Sequence, residues 1–200
     1  MSVTVPVTVV AAVPLAALWL PVLLSAVFVF VASSVVWVFL KWHDSEWQHL
    51  GMGSELQEAL RKAGVTTGHY LFPYMDMNAT DKAAAKTAWT AAYAKGPVGV
   101  IHAGTPGTMS MGKMLGQVFV FYLVVSFFSA YIAAHALAQG APYLKVFQIV
   151  GATAFVAYAA GSFMDSIWFC KSWRSTWLNV VDALIYAGLT AGTFGWLWPR

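Results

Sequence analysis

Two aspartates stand against otherwise apolar stretches in the last quarter of the chain, and their chemistry asks for an explanation first. Asp182 falls about one and a half turns inside an apolar run, and Asp165 stands at the end of another. A carboxylate in hydrocarbon is costly, so such residues pair with a cation or carry protons and ions themselves. Lys171 and Arg174 lie between the two. Asp182 reads either as a proton or cation site, or as one half of a pair with Arg174, Lys171 or a neighbouring tryptophan. Pairing is the simpler account.

Histidine supplies the next candidates. His43, Asp44, Glu46 and His49 follow the first long apolar tract, and helical spacing would place His43 and Glu46 on one face. With His49 they have the chemistry of a divalent-metal site. They lack HExxH order and a supporting Cys/His cluster, so a wetted helix beside the membrane is the plainer reading. His69 and His102 fall in expected loops without ligand-like spacing. His135 sits inside an expected span, where a lone histidine can ligate haem or chlorophyll. No second histidine stands at a matching depth, and interhelical hydrogen bonding is its expected role. Met75, Met77, Met109, Met111 and Met114 form two groups of soft sulfur, suited to Cu(I) or to adaptable packing. Packing is the expectation.

Other chemistry is missing from the pattern. One cysteine, Cys170, excludes an intramolecular disulfide and argues against a Cys-based zinc site. There is no GxSxG elbow, P-loop, dinucleotide fingerprint or catalytic Cys/His arrangement. The chain does not read as an enzyme. Its cofactor is left open, with contacts to lipid or to a neighbour's pigment expected rather than a group of its own.

These residues must be positioned by membrane helices. The chain has 200 residues, 60% apolar and only 10% charged, with a mean hydropathy of +0.67. A soluble domain carries about 25% charged residues to wet its surface, so lipid is the natural solvent here. The pattern predicts an all-α integral membrane protein with four spans: 19–40, 114–138, 143–164 and 177–197. Residues 1–18, interrupted by Pro6 and Pro14, form an apolar lead-in. No basic stretch precedes them, so a cleaved signal peptide is not expected.

Residues 41–113 are expected as a polar, partly helical loop of about 70 residues between the first and second spans. It holds seven of the eleven basic and six of the eight acidic residues. Ser54-Glu55-Leu56-Gln57 reads as a capping box opening a short helix to Ala63, and a second helix is expected from about Thr80 to Ala94. Residues 96–112 read as a loop or a re-entrant stretch. The insert has too few apolar residues for a core of its own, so it is expected to lie against the membrane or a partner.

Small residues line the last two spans: Gly151 and Gly161 in the third, and Gly188, Gly192 and Gly195 in the fourth. In lipid such stripes let helices approach closely, giving a tight hairpin or docking onto another protein's helix. Trp37, Trp42, Trp168, Trp173 and Trp177 would mark one membrane interface, and Trp19, Trp196 and Trp198 the other. Lys41, Lys113, Lys171 and Arg174 flank the loop side, against Lys145 and Arg200 opposite. The positive-inside rule then places the large loop in the cytoplasm and both termini outside. The scattered basic residues exclude nucleic acid as an expected partner.

The runs Leu23-Leu24-Ser25-Ala26-Val27, Ala59-Leu60-Arg61-Lys62-Ala63 and Thr190-Ala191-Gly192-Thr193-Phe194-Gly195-Trp196-Leu197-Trp198-Pro199 resemble a group of short bacterial four-helix membrane proteins, over about residues 20–200. The resemblance implies a bacterial plasma membrane and carries no activity or functional residue. The expected function is a non-catalytic accessory subunit of a larger membrane complex, with a photosynthetic or respiratory one as the guess. The alternatives are a small transporter or channel subunit using Asp182 and Asp165, and a membrane metal protein using His43, Glu46 and His49.

Overall fold

The computed structural model describes residues 13–200. Most of the lead-in over 1–18 lies outside them. Its last part is Pro14 followed by one 3-10 turn, Leu15–Leu18, running straight into helix α1, Trp19–Val35. Pro21 falls in the first turn of α1, where a missing N–H costs no helical bond. A π-helical turn, Val36–Leu40, completes this tract.

Three further long helices follow: α4, Met111–Ala136; α5, Tyr143–Trp168; and α6, Trp173–Leu197. Between α1 and α4 come α2 (Gly53–Lys62), β1 (Gly68–Phe72), α3 (Lys82–Lys95) and β2 (Gly99–Ala103). Among the described residues, four helical stretches are long and apolar enough to cross a membrane: Leu15–Leu40, α4, α5 and α6. Each has 25 or 26 residues, about 38 Å at ~1.5 Å per residue, which exceeds the ~30 Å of a hydrocarbon core. The protein is a predominantly helical, multi-pass membrane protein.

The ~70-residue loop is the expectation that fails. Regular elements occupy most of that stretch, including an antiparallel pair of strands of which the second, β2, falls inside the region read as re-entrant. The capping box fails with it. Met52, not Ser54, precedes α2, and no side chain caps that helix. The connection between α5 and α6 is also shorter than the polar composition of 165–176 suggested, because α5 continues to Trp168.

The chain forms two compact units, and α5 runs from one into the other. The first comprises residues 13–44, Ser110–Phe163 and Arg174–Arg200. Small side chains build its core. Ala130, Ala133 and Ala134 of α4 meet Val146 and Val150 of α5 and Ala191 and Phe194 of α6. Further along, Ala26 and Val29 of α1 pack with Tyr122 and Tyr186. The Ser25 hydroxyl of α1 donates to Ser126 of α4 at 2.9 Å, a polar tie of the kind that replaces the hydrophobic drive absent in lipid.

The glycine stripe divides. A Cβ at Gly195 would come within 2.6 Å of the Tyr143 ring, and one at Gly151 within 3.3 Å of Ala191. At Gly192 it would meet the Tyr143 hydroxyl at an ordinary 3.7 Å. Gly188 and Gly161 have nothing within 4 Å. Close packing within the chain therefore needs only part of the stripe.

The second unit is Ser45–Met109 with Met164–Trp173. Asp81 caps α3 by accepting from the Ala84 N–H at 2.9 Å. The Trp89 indole of α3 donates to the Pro73 carbonyl at 3.2 Å, just after β1. The strands pair from Gly68 opposite Ala103 to Phe72 opposite Gly99. The Phe72 ring lies over Gly99 so closely that a Cβ there would meet it at 2.8 Å. None of the residues of this unit is buried.

Candidate functional site

The buried polar centre of the first unit is made by the end of α1. The α-helix there widens into the π turn, and Lys41 adopts a left-handed conformation, φ 53°. For a residue other than glycine that conformation costs on the order of 1–3 kcal/mol, and π turns recur at functional sites. Together they end the helix and turn the chain inward, so that His43 is 2% exposed.

His43 Nε2 lies 2.9 Å from Asp182 Oδ2, across 139 residues of sequence. Asp182 is 4% exposed on α6. An ionised carboxylate only accepts, so the bond then holds its proton on the imidazole nitrogen. The pair joins two groups that would each be costly to bury alone. Trp37 stacks on the imidazole, with centroids 4.1 Å apart and planes 5° from parallel. Trp42 meets it edge-on at 6.3 Å.

Beside the pair, Tyr122, Tyr158 and Tyr186 form a triangle with ring centroids 5.7 to 6.1 Å apart. These rings, with Trp37, Phe121 and Asp182, line a cavity of about 220 Å³ that also takes in Ser162 and Asn179. Thr176 at the start of α6 donates to the Ser162 carbonyl at 3.0 Å, fixing α6 against α5 at this level. The arrangement can hold a proton, present hydrogen-bond donors and stack a ring.

The other candidates are scattered. Asp165 is in the second unit, its carboxylate 52% exposed and 3.8 Å from Lys171. Asp182 has His43 against it, a partner the sequence did not suggest. Arg174 is exposed. Glu46 and His49 belong to the second unit while His43 belongs to the first, and no group of three His, Cys, Asp or Glu among the described residues is placed to hold a metal. His135 is exposed, with Nδ1 2.8 Å from the Tyr131 carbonyl one turn earlier. His69 and His102 stand directly opposite each other on β1 and β2, with their Nδ1 atoms 2.6 Å apart. Tyr70 beside them exchanges hydrogen bonds with Thr66, which hold its phenol below the ordinary value.

Sequence reasoning missed Trp37 and the three tyrosines. The signal was present, since a phenol inside an apolar span carries a hydroxyl that needs a partner. Trp198, expected in the interfacial belt, is buried within the chain, and its indole donates to the Ala138 carbonyl at 2.9 Å.

No protein-family model matches the chain, and no curated protein or solved structure is significantly similar to it.

Proposed function

We propose that this chain is a non-catalytic accessory subunit of a larger membrane protein complex. The observation that supports this reading is the second unit. It has two helices, one of them capped, and a registered sheet, yet no buried residue, and it exposes Trp47, Leu50, Met52, Tyr74, Met77 and Met109. Folding costs about 1–2 kcal/mol of backbone entropy per residue. A unit without a core offsets that poorly by itself, and an external surface must supply the burial. Large exposed apolar groups outside the membrane-length helices are what such a surface would cover. In this proposal the chain sits in a bacterial plasma membrane, with the 41–113 region cytoplasmic and both termini outside.

The test is extraction from native membranes in mild detergent, followed by a native gel with mass spectrometry and an absorption spectrum of the band. The account expects co-migration at high mass with other subunits, and pigment or haem absorption would mark the complex as bioenergetic. Migration as a colourless monomer or small homo-oligomer would overturn it.

The buried pair favours a second reading, a transporter or channel subunit that moves protons or cations past Asp182. It requires that Asp182→Asn abolish flux in proteoliposomes while the protein still assembles.

A further inference from the structure

The cavity beside the His43–Asp182 pair has properties that go beyond tying helices together. Its wall is aromatic, with Trp37, Phe121, Tyr122, Tyr158 and Tyr186 all contributing. The hydroxyls of Tyr158 and Tyr186 are buried and make no hydrogen bond of ordinary geometry within the chain. Their polar neighbours are Thr190 and the Trp37 indole respectively, and the Thr190 hydroxyl already donates to the Tyr186 carbonyl at 2.8 Å. A buried phenol left in that state costs roughly 1–3 kcal/mol, and both line the same space.

We infer that this cavity is a binding site for a neutral, single-ring head group with hydrogen-bond-accepting oxygens, carried on an apolar tail: a membrane-dissolved quinone-type molecule. Five observations select that chemistry. The volume, about 220 Å³, suits one substituted ring, since a dry cavity of about 150 Å³ accepts benzene. Aromatic walls favour a planar ring by stacked and edge-on contacts. The two phenols can donate, which calls for acceptor oxygens on the ligand. The carboxylate already has His43 against it, so the site does not ask for a cationic ligand. Trp37, Val118 and Phe121 are half-exposed lining residues on helices of membrane-spanning length, so access is from the hydrocarbon and suits a tailed molecule.

The proposal is tested with the full chain in lipid nanodiscs, measuring retention of a decyl-tailed benzoquinone against protein-free discs over a concentration series. The expected result is saturation near one molecule per chain. Tyr158→Phe and Tyr186→Phe, which keep the rings and remove only the donors, should each weaken binding about threefold to tenfold. Decyltrimethylammonium, a cation with the same tail, should not displace the quinone. Three results would overturn the proposal: retention that never exceeds partition into lipid, an affinity unchanged in the double Tyr→Phe variant, or displacement by the ammonium. The first would mean that water alone fills the space. All three are independent of the accessory-subunit reading, since the chain is tested without any partner.

Discussion

One histidine of the helical bundle is buried and answered by a carboxylate far away in sequence, whereas two histidines of the second unit face each other in the open. His43 and Asp182 are both nearly inaccessible, so removing either takes from the other a buried partner at 2.9 Å. His69 and His102 are exposed and can exchange each other for water. The same contrast extends to the units that hold them. The bundle fills its interior with alanine, valine, serine and tyrosine, and ties Ser25 to Ser126, Thr176 to Ser162 and His43 to Asp182 across elements. The second unit has regular secondary structure but nothing inside it. One unit carries buried contacts within the chain; among the described residues the other carries none.

Breaking the buried pair should have the largest effect. Asp182→Leu with His43 retained should cost about 3–5 kcal/mol, the usual range when one partner of a buried pair is removed. Asp182→Asn keeps an acceptor and should cost about 1–2 kcal/mol. Both are read by unfolding in mixed detergent micelles. A cost for Asp182→Leu within that of an ordinary surface change would show that the bundle does not depend on the pair.

The glycines sharpen the comparison inside the bundle. Gly195→Val meets the Tyr143 ring and should cost about 1–3 kcal/mol by overpacking. Gly188→Ala projects into open space and should stay within about 0.5 kcal/mol in the isolated protein. Equal effects at the two positions would refute the close α5–α6 approach at Gly195. A smaller change is expected from Ser25→Ala, which removes the tie to Ser126. Interhelical hydrogen bonds in membranes average about 0.6 kcal/mol, so the same unfolding assay should register a shift near that size.

The second unit should show the reverse pattern. Trp47→Ser and Met109→Ser each expose less apolar surface and should alter the stability of the purified protein by no more than about 0.5 kcal/mol. Combined, they should abolish co-migration on the native gel. A large loss of stability with co-migration intact would mean that these side chains act within the chain.

The four membrane-length helices are legible in the sequence because each is a long apolar run, and run length alone decides whether a segment can cross a bilayer. Asp182 is legible for the same reason, as a charge where charges are costly. Its partner is not. His43 reaches Asp182 only because a π turn and a left-handed lysine redirect the chain, and neither follows from local residue preferences; Lys41 is an ordinary residue in a conformation that glycine would adopt at lower cost. The strands escape notice because Gly68–Phe72 and Gly99–Ala103 are five residues long, begin with glycine and stand among prolines and threonines. Their pairing is a long-range fact, with α3 between them. The small-residue stripe shows the same limit: spacing marks all five glycines, but the rotation of α5 and α6 about their axes determines that Gly151 and Gly195 are pressed while Gly161 and Gly188 are open.

The central claim, that the second unit is completed by a partner, is tested most directly by backbone amide hydrogen exchange over β1, β2 and α3. The protein would be compared alone in lipid nanodiscs and in the assembly extracted from native membranes. The account predicts fast exchange of these amides in lipid alone and strong protection in the assembly, while the amides of α4 and α6 are protected in both. Equal protection of the second unit in the two samples would contradict it, because the chain or the bilayer would then supply the missing burial without a partner.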